Sequence, residues 1–216
     1  SLSAGRSVVT ANKAMIATHG FELAQAAETS GAALLFEAAV CAGTPILQTM
    51  RDGLSANRID RIEGILNGTS NYILSAMERS GEDFGETLAE AQRLGYAEAD
   101  PALDVDGGDA AHKLAILAAL GFGLRPDFAG VEVNGIRDVR AADIAQAERL
   151  GYKIRLVAMA DMVDRPGEAP ALLQRVRPCL LPADHLLAGI DGPTNAVLTL
   201  GDQSGPILIQ GAGAGS

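Results

Sequence analysis

Residues 58–77 contain the change from strand to helix on which the fold prediction rests; they read RIDRIEGILNGTSNYILSAM. Partial alternation from Arg58 to Leu66 predicts a strand, and the apolar spacing that follows predicts a helix. The turn at 67–70 joins the two. We interpret it as an ordinary strand-to-helix connection capped by Thr69. The alternative is an anion site, because backbone N–H groups at a helix start favour a carboxylate.

Helical and strand patterns alternate around this stretch, and strands dominate the last third of the chain. Helices are predicted from Asn12 to about Glu28, after Pro45, at 84–94, from Asp109 to about Leu120, and at 141–150. Strands are predicted at 7–10, 34–40, 58–66, 131–133, 153–162, 172–181, 196–200 and 206–210, with hairpin turns at 164–167 and 201–205. This order indicates one mixed-sheet α/β or α+β body.

Composition excludes several classes of protein. Of the 216 residues, 48% are hydrophobic, and 27 acids against 17 Lys and Arg give a net charge of −10. Phosphate backbones and anionic membranes repel such a chain, so we expect no nucleic acid and no membrane as partner. The two cysteines are too few for a disulfide scaffold, and no secretory signal opens the sequence, so we expect a cytoplasmic protein. The sequence starts without Met and ends in a glycine-rich run, so we expect a piece of a longer chain.

Five acids lie within twelve residues in a polar loop after the second predicted helix of the middle region. They are Glu98, Asp100, Asp104, Asp106 and Asp109. Carboxylates this dense repel one another unless a cation lies among them. That cation is Ca²⁺, Mg²⁺ or the ammonium group of a substrate. The alternative is a solvated acidic loop; the spacing is not that of an EF-hand.

Asp109 and Lys113 are four residues apart at the start of an apolar helix. The structural interpretation is a helical ion pair contributing roughly 0.3–0.5 kcal/mol. The functional interpretation is a partly desolvated lysine that acts as general acid or base, oriented by the neighbouring carboxylate. The pair Asn12-Lys13 has the same ambiguity.

Two other features predict no chemistry. The histidines His19, His112 and His185 have neither metal-ligand nor triad spacing, so we interpret them as surface or core residues. The glycines Gly211, Gly213 and Gly215 do not form a dinucleotide-binding fingerprint.

Together these motifs resemble the homoserine dehydrogenase family. The resemblance covers nearly the whole chain and is most specific between Glu63 and Lys113. The segments that carry it are 8–13 (VVTANK), 37–40 (EAAV), 64–72 (GILNGTSNY), 95–101 (GYAEADP), 109–113 (DAAHK) and 182–186 (PADHL).

The resemblance implies an oxidoreductase that interconverts L-homoserine and L-aspartate 4-semialdehyde with NAD or NADP, on the route to threonine, isoleucine and methionine. It implies an α+β fold with α/β character, in which helices pack on one face of a mixed, largely open sheet. It divides the chain into a remnant of the nucleotide-binding domain (1–13), a substrate-binding, catalytic and dimerisation domain (14–210) and the start of a segment returning to the nucleotide-binding domain (211–216). It also implies a homodimer.

The resemblance assigns a role to each candidate site residue. Lys113 is the acid or base that exchanges a proton with the substrate oxygen, Asp109 orients it, and Lys13 is the second active-site lysine. The other positions fall into three sets: Glu98 and Asp104 for the substrate ammonium group, with Thr69, Gly68 and Tyr96 also in the substrate pocket; Asn12 and Lys13 beside the cofactor; and Glu37, Val40, Ala42 and Thr44 around a monovalent cation, typically sodium, held mostly by backbone carbonyls.

Two departures from the family pattern accompany the resemblance. Nothing in the chain matches the family's Rossmann fingerprint, Gly-x-Gly-x-x-Gly. Cys41 stands where the family usually has Gly, and a positive φ there would strain the backbone.

Two alternative functions remain at this point. One is a semialdehyde dehydrogenase that acylates through Cys41, which would require a depressed thiol pKa and a nearby base. The other is a non-catalytic dimerisation or amino-acid-sensing module of the same fold, because sensing an amino acid also needs contacts to its ammonium and carboxylate groups.

Overall fold

A computed structural model describes residues 1–164 and 166–213 as seven helices and eight strands, with short 3₁₀ turns at Leu2–Ala4 and Glu37–Ala39. The helices are α1 Lys13–Ser30, α2 Ile46–Gln48, α3 Gly68–Ser80, α4 Phe84–Arg93, α5 Ala102–Val105, α6 Gly108–Phe122 and α7 Ala141–Arg149; a π-helical turn, Thr49–Gly53, continues α2. The strands are β1 Val8–Val9, β2 Leu34–Leu35, β3 Ile59–Ile65, β4 Val131–Val133, β5 Tyr152–Val163, β6 Ala171–Pro182, β7 Thr194–Gly201 and β8 Gly205–Ala212.

Six of the strands form one mixed, open sheet in the order β4-β6-β5-β3-β7-β8. β4 runs parallel to β6, whereas the other neighbouring pairs are antiparallel. β1 and β2 form a separate two-stranded parallel sheet. The predicted fold class, an α+β arrangement of helices on a mixed open sheet, is therefore confirmed.

The main core lies between the sheet and the helices, with α6 at its centre. Residues on all sides of α6 are buried, among them Ala111, Leu114, Ile116 and Leu117. A helix that is apolar all round belongs in a protein interior. Gly107 (φ 86°) and Gly123 (φ 66°) bound α6 with left-handed backbone, which glycine adopts without a Cβ penalty. This helix places Asp109 and Lys113 in its first turns.

A smaller apolar cluster covers part of the opposite sheet face. Leu187, Ala188 and Ile190 pack there against Val157 and Leu198. The segment that contributes them runs on through Pro193 toward the start of α3, so it also shapes the site described below.

Three predictions of local structure are wrong. The strand predicted at 34–40 ends at Leu35, because the chain turns so that the Glu37 carboxylate can accept the N–H groups of Leu47 and Gln48 at 3.0 and 2.9 Å. Thr69 does not cap α3: the Asn67 side chain does, accepting from Ser70 N at 2.8 Å. The acidic loop contains a helical turn, α5.

The remaining elements match their predictions to within a few residues at each end. β5 and β6 form the antiparallel hairpin predicted around 164–167, although Arg165 in its turn lies outside the described residues. The glycine-rich run ends in residues 214–216, which also lie outside them. Within the described part of the chain, no helix combines the length and apolar character that a membrane span requires.

Candidate active site

The carboxylate of Asp109 is the centre of one cluster of buried charged and polar residues. Its Oδ2 lies 2.8 Å from Lys113 Nζ and its Oδ1 lies 3.0 Å from Lys13 Nζ. Asn67 Nδ2 donates to Oδ2 at 2.8 Å. The Asp109 side chain is only 7% exposed. Burial alone would raise the pKa of Asp109, but Lys113, Asn67 and Lys13 together lower it below its ordinary value, so the carboxylate is ionised.

Lys113 has two fixed partners and little contact with solvent. Its ammonium donates to the Leu66 carbonyl at 2.6 Å in addition to Asp109, and its side chain is 13% exposed. The helical ion pair predicted from the spacing is therefore present, but it is buried rather than superficial. A lysine ammonium has three hydrogens, so one remains for a ligand.

Asp104 lies on α5 and meets the same network through Asn67, whose Nδ2 donates to Asp104 Oδ1 at 2.7 Å. Burial raises the pKa of Asp104; the Asn67 hydrogen bond opposes this rise and the nearby charge of Asp109 adds to it. Asp104 and Asp109 thus share a hydrogen-bond donor, but the pKa of one is raised while that of the other is lowered. Of these two acids, only Asp109 forms ion pairs with lysines in the described part of the chain.

The five acids of the loop divide into two groups. Glu98, Asp104 and Asp109 line one cavity. Asp106 instead pairs with Arg137, and Asp100 accepts from Ala102 N at 3.2 Å. Among the described residues, no group of three or more His, Cys, Asp or Glu side chains is arranged to hold a metal ion.

The cavity has a volume of about 460 Å³, within the roughly 300–1,000 Å³ of small-molecule pockets. It brings together the residues predicted for catalysis and for substrate, together with Ala42. Its lining is Ala11, Lys13, Ala38, Ala39, Cys41, Ala42, Asn67, Gly68, Thr69, Gly95, Tyr96, Glu98, Asp104, Asp109, Lys113, Pro193, Asn195 and Gly213. Asn12, Glu37, Val40 and Thr44 are not part of this lining.

The start of α3 forms one wall of the cavity by close backbone contact. A Cβ on Gly68 would lie 2.6 Å from the Pro193 carbonyl oxygen, so only glycine fits. Thr69 Oγ1 donates to the Tyr96 carbonyl at 3.0 Å. The Tyr96 ring stacks on Tyr72, with 4.2 Å between the ring centroids.

In the turn at 37–44, the polar side chains of Glu37 and Thr44 bind other parts of the protein. The Glu37 carboxylate accepts two backbone N–H groups at the start of α2, and Thr44 Oγ1 donates to the Ala212 carbonyl at 3.2 Å. Val40 is buried. Asn12 caps α1, accepting from Met15 N at 3.0 Å.

Cys41 has a φ of 51°, and it is the one non-glycine residue with positive φ in the described part of the chain. The backbone strain that we expected for a Cys in place of the family's usual Gly is therefore present at Cys41. Burial raises the pKa of its thiol to about 11, which the nearby Lys113 only partly opposes. A thiolate is thus disfavoured, which argues against acylation through Cys41.

The sequence did not single out two asparagines that line this cavity. Asn67 could have been noticed as the last residue before the predicted helix, since Asn is a preferred cap. Asn195 is 2% exposed, and its Oδ1 has no hydrogen-bond partner within the described residues. No local pattern marks Asn195, because it stands near the start of β7, a strand whose residues are mostly buried.

This arrangement of fold and site defines a class: a domain with a mixed open sheet and a buried lysine–carboxylate pair in a pocket of small-molecule size. Comparison with known proteins gives the family. The family model for homoserine dehydrogenase matches residues 45–216. A homoserine dehydrogenase of Synechocystis is 53% identical over 210 residues, which are 97% of this chain and 48% of that protein. One from Pseudomonas aeruginosa is 48% identical over 211 residues, 98% of this chain and 48% of that protein.

Comparison with solved structures gives the same family. A homoserine dehydrogenase from Thiobacillus denitrificans superposes with a TM-score of 0.95 at 48% identity, over 100% of this chain and 49% of that one. A hyperthermophilic archaeal homoserine dehydrogenase in complex with NADPH gives 0.83 at 33% identity, over 100% of this chain and 60% of that one. The chain belongs to the homoserine dehydrogenase family. It spans about half the length of the curated relatives it matches.

Proposed function

We propose that this chain is the substrate-binding, catalytic part of an enzyme that interconverts L-homoserine and L-aspartate 4-semialdehyde with NAD or NADP. The observation that carries the proposal is the buried Lys113–Asp109 pair, 2.8 Å apart, in the same cavity as Asp104 and Glu98. Acid–base chemistry at a substrate oxygen and recognition of an ammonium group are the two tasks that this reaction sets.

Lys113 is proposed to move the proton. Reduction of the aldehyde makes an alkoxide, which needs a donor within hydrogen-bond reach. The ammonium of Lys113 has one hydrogen left after those directed to Asp109 and the Leu66 carbonyl. That hydrogen passes to the alkoxide, and in the reverse reaction the neutral amine takes the hydroxyl proton from homoserine. Asp109, with its lowered pKa, stays ionised and orients the lysine.

The two ends of the amino acid are proposed to bind at opposite charges. Asp104 and Glu98 take the ammonium group, since both carboxylates line the cavity and neither is paired with a lysine or arginine in the described residues. The N–H groups at the start of α3, around Gly68 and Thr69, take the carboxylate. Tyr96 closes this part of the pocket by its stacking on Tyr72.

The cofactor is proposed to lie beside Lys13. A bound nicotinamide would supply the hydride for reduction and accept it in oxidation. The small residues Ala11, Ala38 and Gly213 line the cavity and leave room for a planar ring. Lys13 holds Asp109 from that side, and Asn12, whose side-chain oxygen caps α1, can offer its amide nitrogen to the cofactor.

A monovalent cation, sodium, is proposed at the turn that contains Glu37, Val40, Ala42 and Thr44. The Glu37 and Thr44 side chains have protein partners, so main-chain oxygens of this turn would hold the ion. The left-handed backbone at Cys41 reverses the chain between Val40 and Ala42, which suits such a carbonyl site. Replacing sodium chloride with N-methylglucamine chloride should lower the thermal midpoint; an equal midpoint in both salts argues against the site.

The remaining assignments are also proposals. Residues 1–13 belong to a nucleotide-binding domain, 14–210 to the catalytic and dimerisation domain, and 211–216 to the return segment. The strand-rich half forms a homodimer in a cytoplasmic protein. The exposed side chain of Leu200 on β7 lies on the same sheet face as the smaller apolar cluster, which favours such an interface. Sedimentation velocity at micromolar concentration should give twice the chain mass; a monomer overturns the dimer.

Calorimetric titration with L-homoserine at neutral pH in sodium buffer tests the function. We expect saturable binding that Glu98→Gln weakens at least tenfold. Tight binding in Glu98→Gln would overturn the ammonium assignment. If the wild-type chain does not bind, the titration is repeated on a form joined to a nucleotide-binding domain, and a second failure overturns the proposed function.

Lys113→Met separates an enzyme from a sensor. In the form that carries the nucleotide-binding domain, an enzyme loses turnover far more than affinity, because the proton transfer is made only in the transition state. Unchanged turnover in Lys113→Met would overturn the role of this lysine. Cys41→Ser should keep full activity; its loss would instead support acylation through the thiol.

A further inference from the structure

Asn67 joins the two ends of the candidate pocket. Its Nδ2 lies 2.7 Å from Asp104 Oδ1 and 2.8 Å from Asp109 Oδ2, and its Oδ1 accepts from Ser70 N at 2.8 Å. We propose that Asn67 is a positioning residue that couples the ammonium end of the pocket, at Asp104, to the proton-transferring pair Asp109–Lys113. The coupling rests on the proposed function, whereas the positioning of Lys113 can be tested without a substrate.

The orientation of the Asn67 amide is fixed by chemistry. Ser70 N needs an acceptor, so the side-chain oxygen must face it. The reverse orientation would place that oxygen against two carboxylates and the NH₂ group against an N–H donor, leaving repulsive contacts on both sides. The amide has two hydrogens, one for each carboxylate, and the residue is only 5% exposed. All its polar atoms are therefore satisfied by the protein.

The neutral Asn67 amide lies between two carboxylates that differ in whether a lysine is paired with them. Asp109 is held by Lys13 and Lys113, whereas Asp104 forms no ion pair among the described residues. A substrate ammonium group at Asp104 would supply the missing positive charge. Because the same amide contacts both acids, any movement or charge change at Asp104 reaches the oxygen of Asp109 that holds Lys113.

Lys113 and Asn67 both lie 2.8 Å from Asp109 Oδ2. A substitution at position 67 therefore acts on the same carboxylate oxygen that holds the Lys113 ammonium. The other titratable or charged groups around it come from four elements: Lys13 on α1, Cys41 in the turn before α2, Glu98 in the loop after α4, and Asp104 on α5. Tyr96, in the same loop as Glu98, is a further such group. Of all these groups, only Asp104 contacts Asn67, and it loses a hydrogen-bond donor when Asn67 is replaced.

The test follows the ¹³Cε signal of Lys113 against pH in this chain, which has only three lysines. Asn67→Asp keeps a good helix cap but removes both donors and adds a carboxylate. An opposite charge within roughly 4–6 Å changes a pKa by about 1–3 units, and the new anion stabilises the ammonium form, so the midpoint of Lys113 should rise by about that amount. Asn67→Ser removes the donors without adding charge and should shift the midpoint less.

Gln174→Glu is the matched control. It makes the same amide-to-carboxylate change at a buried position, where Gln174 Nε2 donates to the Asp127 carbonyl at 2.8 Å, outside the cavity lining. It should lower the thermal midpoint and leave the Lys113 titration unchanged. An unchanged Lys113 midpoint in folded Asn67→Asp, or an equal shift in Gln174→Glu, would overturn the positioning role.

A second arm tests the coupling with L-homoserine present. Binding of its ammonium at Asp104 should move the Lys113 midpoint to lower pH in the wild type, and less in Asn67→Ser. An equal movement in both proteins would show that the ammonium acts through space and would overturn the coupling. Absence of homoserine binding both to this chain and to the form joined to a nucleotide-binding domain would overturn the proposed function and the coupling with it, whereas the first arm would still decide the positioning role.

Discussion

Replacing Arg155 with methionine should destabilise the protein by about 3 kcal/mol. The Arg155 side chain on β5 is fully buried and reaches two carboxylates, Glu78 at 2.7 Å and Asp191 at 2.6 Å. It also donates to three carbonyls, those of Ile154 (3.0 Å), Ala188 (3.3 Å) and Ile190 (3.2 Å). Methionine fills most of the volume but makes none of these bonds.

The size of the loss in stability depends on which contacts the partners of Arg155 keep when the guanidinium is removed. Removing one member of a buried ion pair costs about 3–5 kcal/mol, because the other charge is left unpaired. Here Glu78 keeps Lys153 at 2.8 Å, and Asp191 is 54% exposed and can be solvated. Ile190 O keeps the Asn71 amide as a donor at 3.0 Å. The loss should therefore fall at the lower end of that range.

Urea unfolding followed by circular dichroism measures the loss. With an m-value of about 3 kcal/mol per molar, the midpoint should fall by about 1 M. Lys153→Met is the matched control: its side chain is 28% exposed and its partner Glu78 keeps Arg155, so it should cost at most about 1 kcal/mol. Equal losses of stability in Arg155→Met and Lys153→Met would refute the idea that the buried guanidinium is the main stabilising group of this cluster.

The same cluster predicts a pH dependence. Burial raises the pKa of Glu78, but Lys153 and Arg155 together lower it below its ordinary value of 4.5. A carboxylate with a lowered pKa in the folded state stabilises the protein above its unfolded pKa and loses that effect as the pH falls through the folded value. The difference in stability between wild type and Arg155→Met should thus be full at neutral pH and shrink below about pH 4.5. A difference that is constant down to pH 3 would contradict this pairing.

Two further predictions concern the walls of the cavity. Gly68→Ala should cost about 1–3 kcal/mol and weaken homoserine binding, because the new Cβ would lie 2.6 Å from the Pro193 carbonyl oxygen. Gly85→Ala on α4 is its control, since nothing lies within 4 Å of a Cβ there, and it should stabilise by about 0.5–1 kcal/mol; equal effects on unfolding would refute the close approach. Cys41, buried with a thiol pKa of about 11, should react with a disulfide reagent at pH 8 far more slowly than the partly exposed Cys179. Mass spectrometry of the first labelled product decides this, and early labelling of Cys41 would contradict its burial.

Much of the fold could be predicted from local patterns, because most elements are long enough to show their period. β5 and β6 and the helix at 141–149 are such cases. The strand predicted at 34–40 was wrong, because a short apolar run has no periodicity that distinguishes a strand from a buried turn. Its true conformation depends on Glu37 capping a helix ten residues further along, which is a tertiary contact.

The candidate site likewise combines contacts that a local pattern predicts with contacts that only the tertiary structure creates. The spacing of Asp109 and Lys113 within one helix is local, so their contact could be predicted from the sequence. The contact of Asp109 with Lys13 brings α1 against α6 and could be expected only through the family resemblance. The cap position of Asn67 is a local feature, but its contact with two carboxylates could not be predicted, because it requires β3, α5 and α6 to meet at one side chain.

Two glycines, Gly107 and Gly135, allow β3, α5 and α6 to come together around Asn67. Between α5 and α6 the chain reverses at Gly107, with φ 86°, and a Cβ there would lie 2.9 Å from Val133 and 3.2 Å from Val176. Gly135 packs directly on the backbone of Asp106, where a Cβ would lie 2.6 Å from the Asp106 Cα, and Ile136 N donates to the Val105 carbonyl at 2.8 Å. The loop after β4 thereby holds the short helix that carries Asp104. A four-residue helix has little stability of its own, so the distance between Asp104 and Asp109 is set by these backbone contacts. The precision of the two carboxylates around Asn67 thus depends on residues that have no side chain.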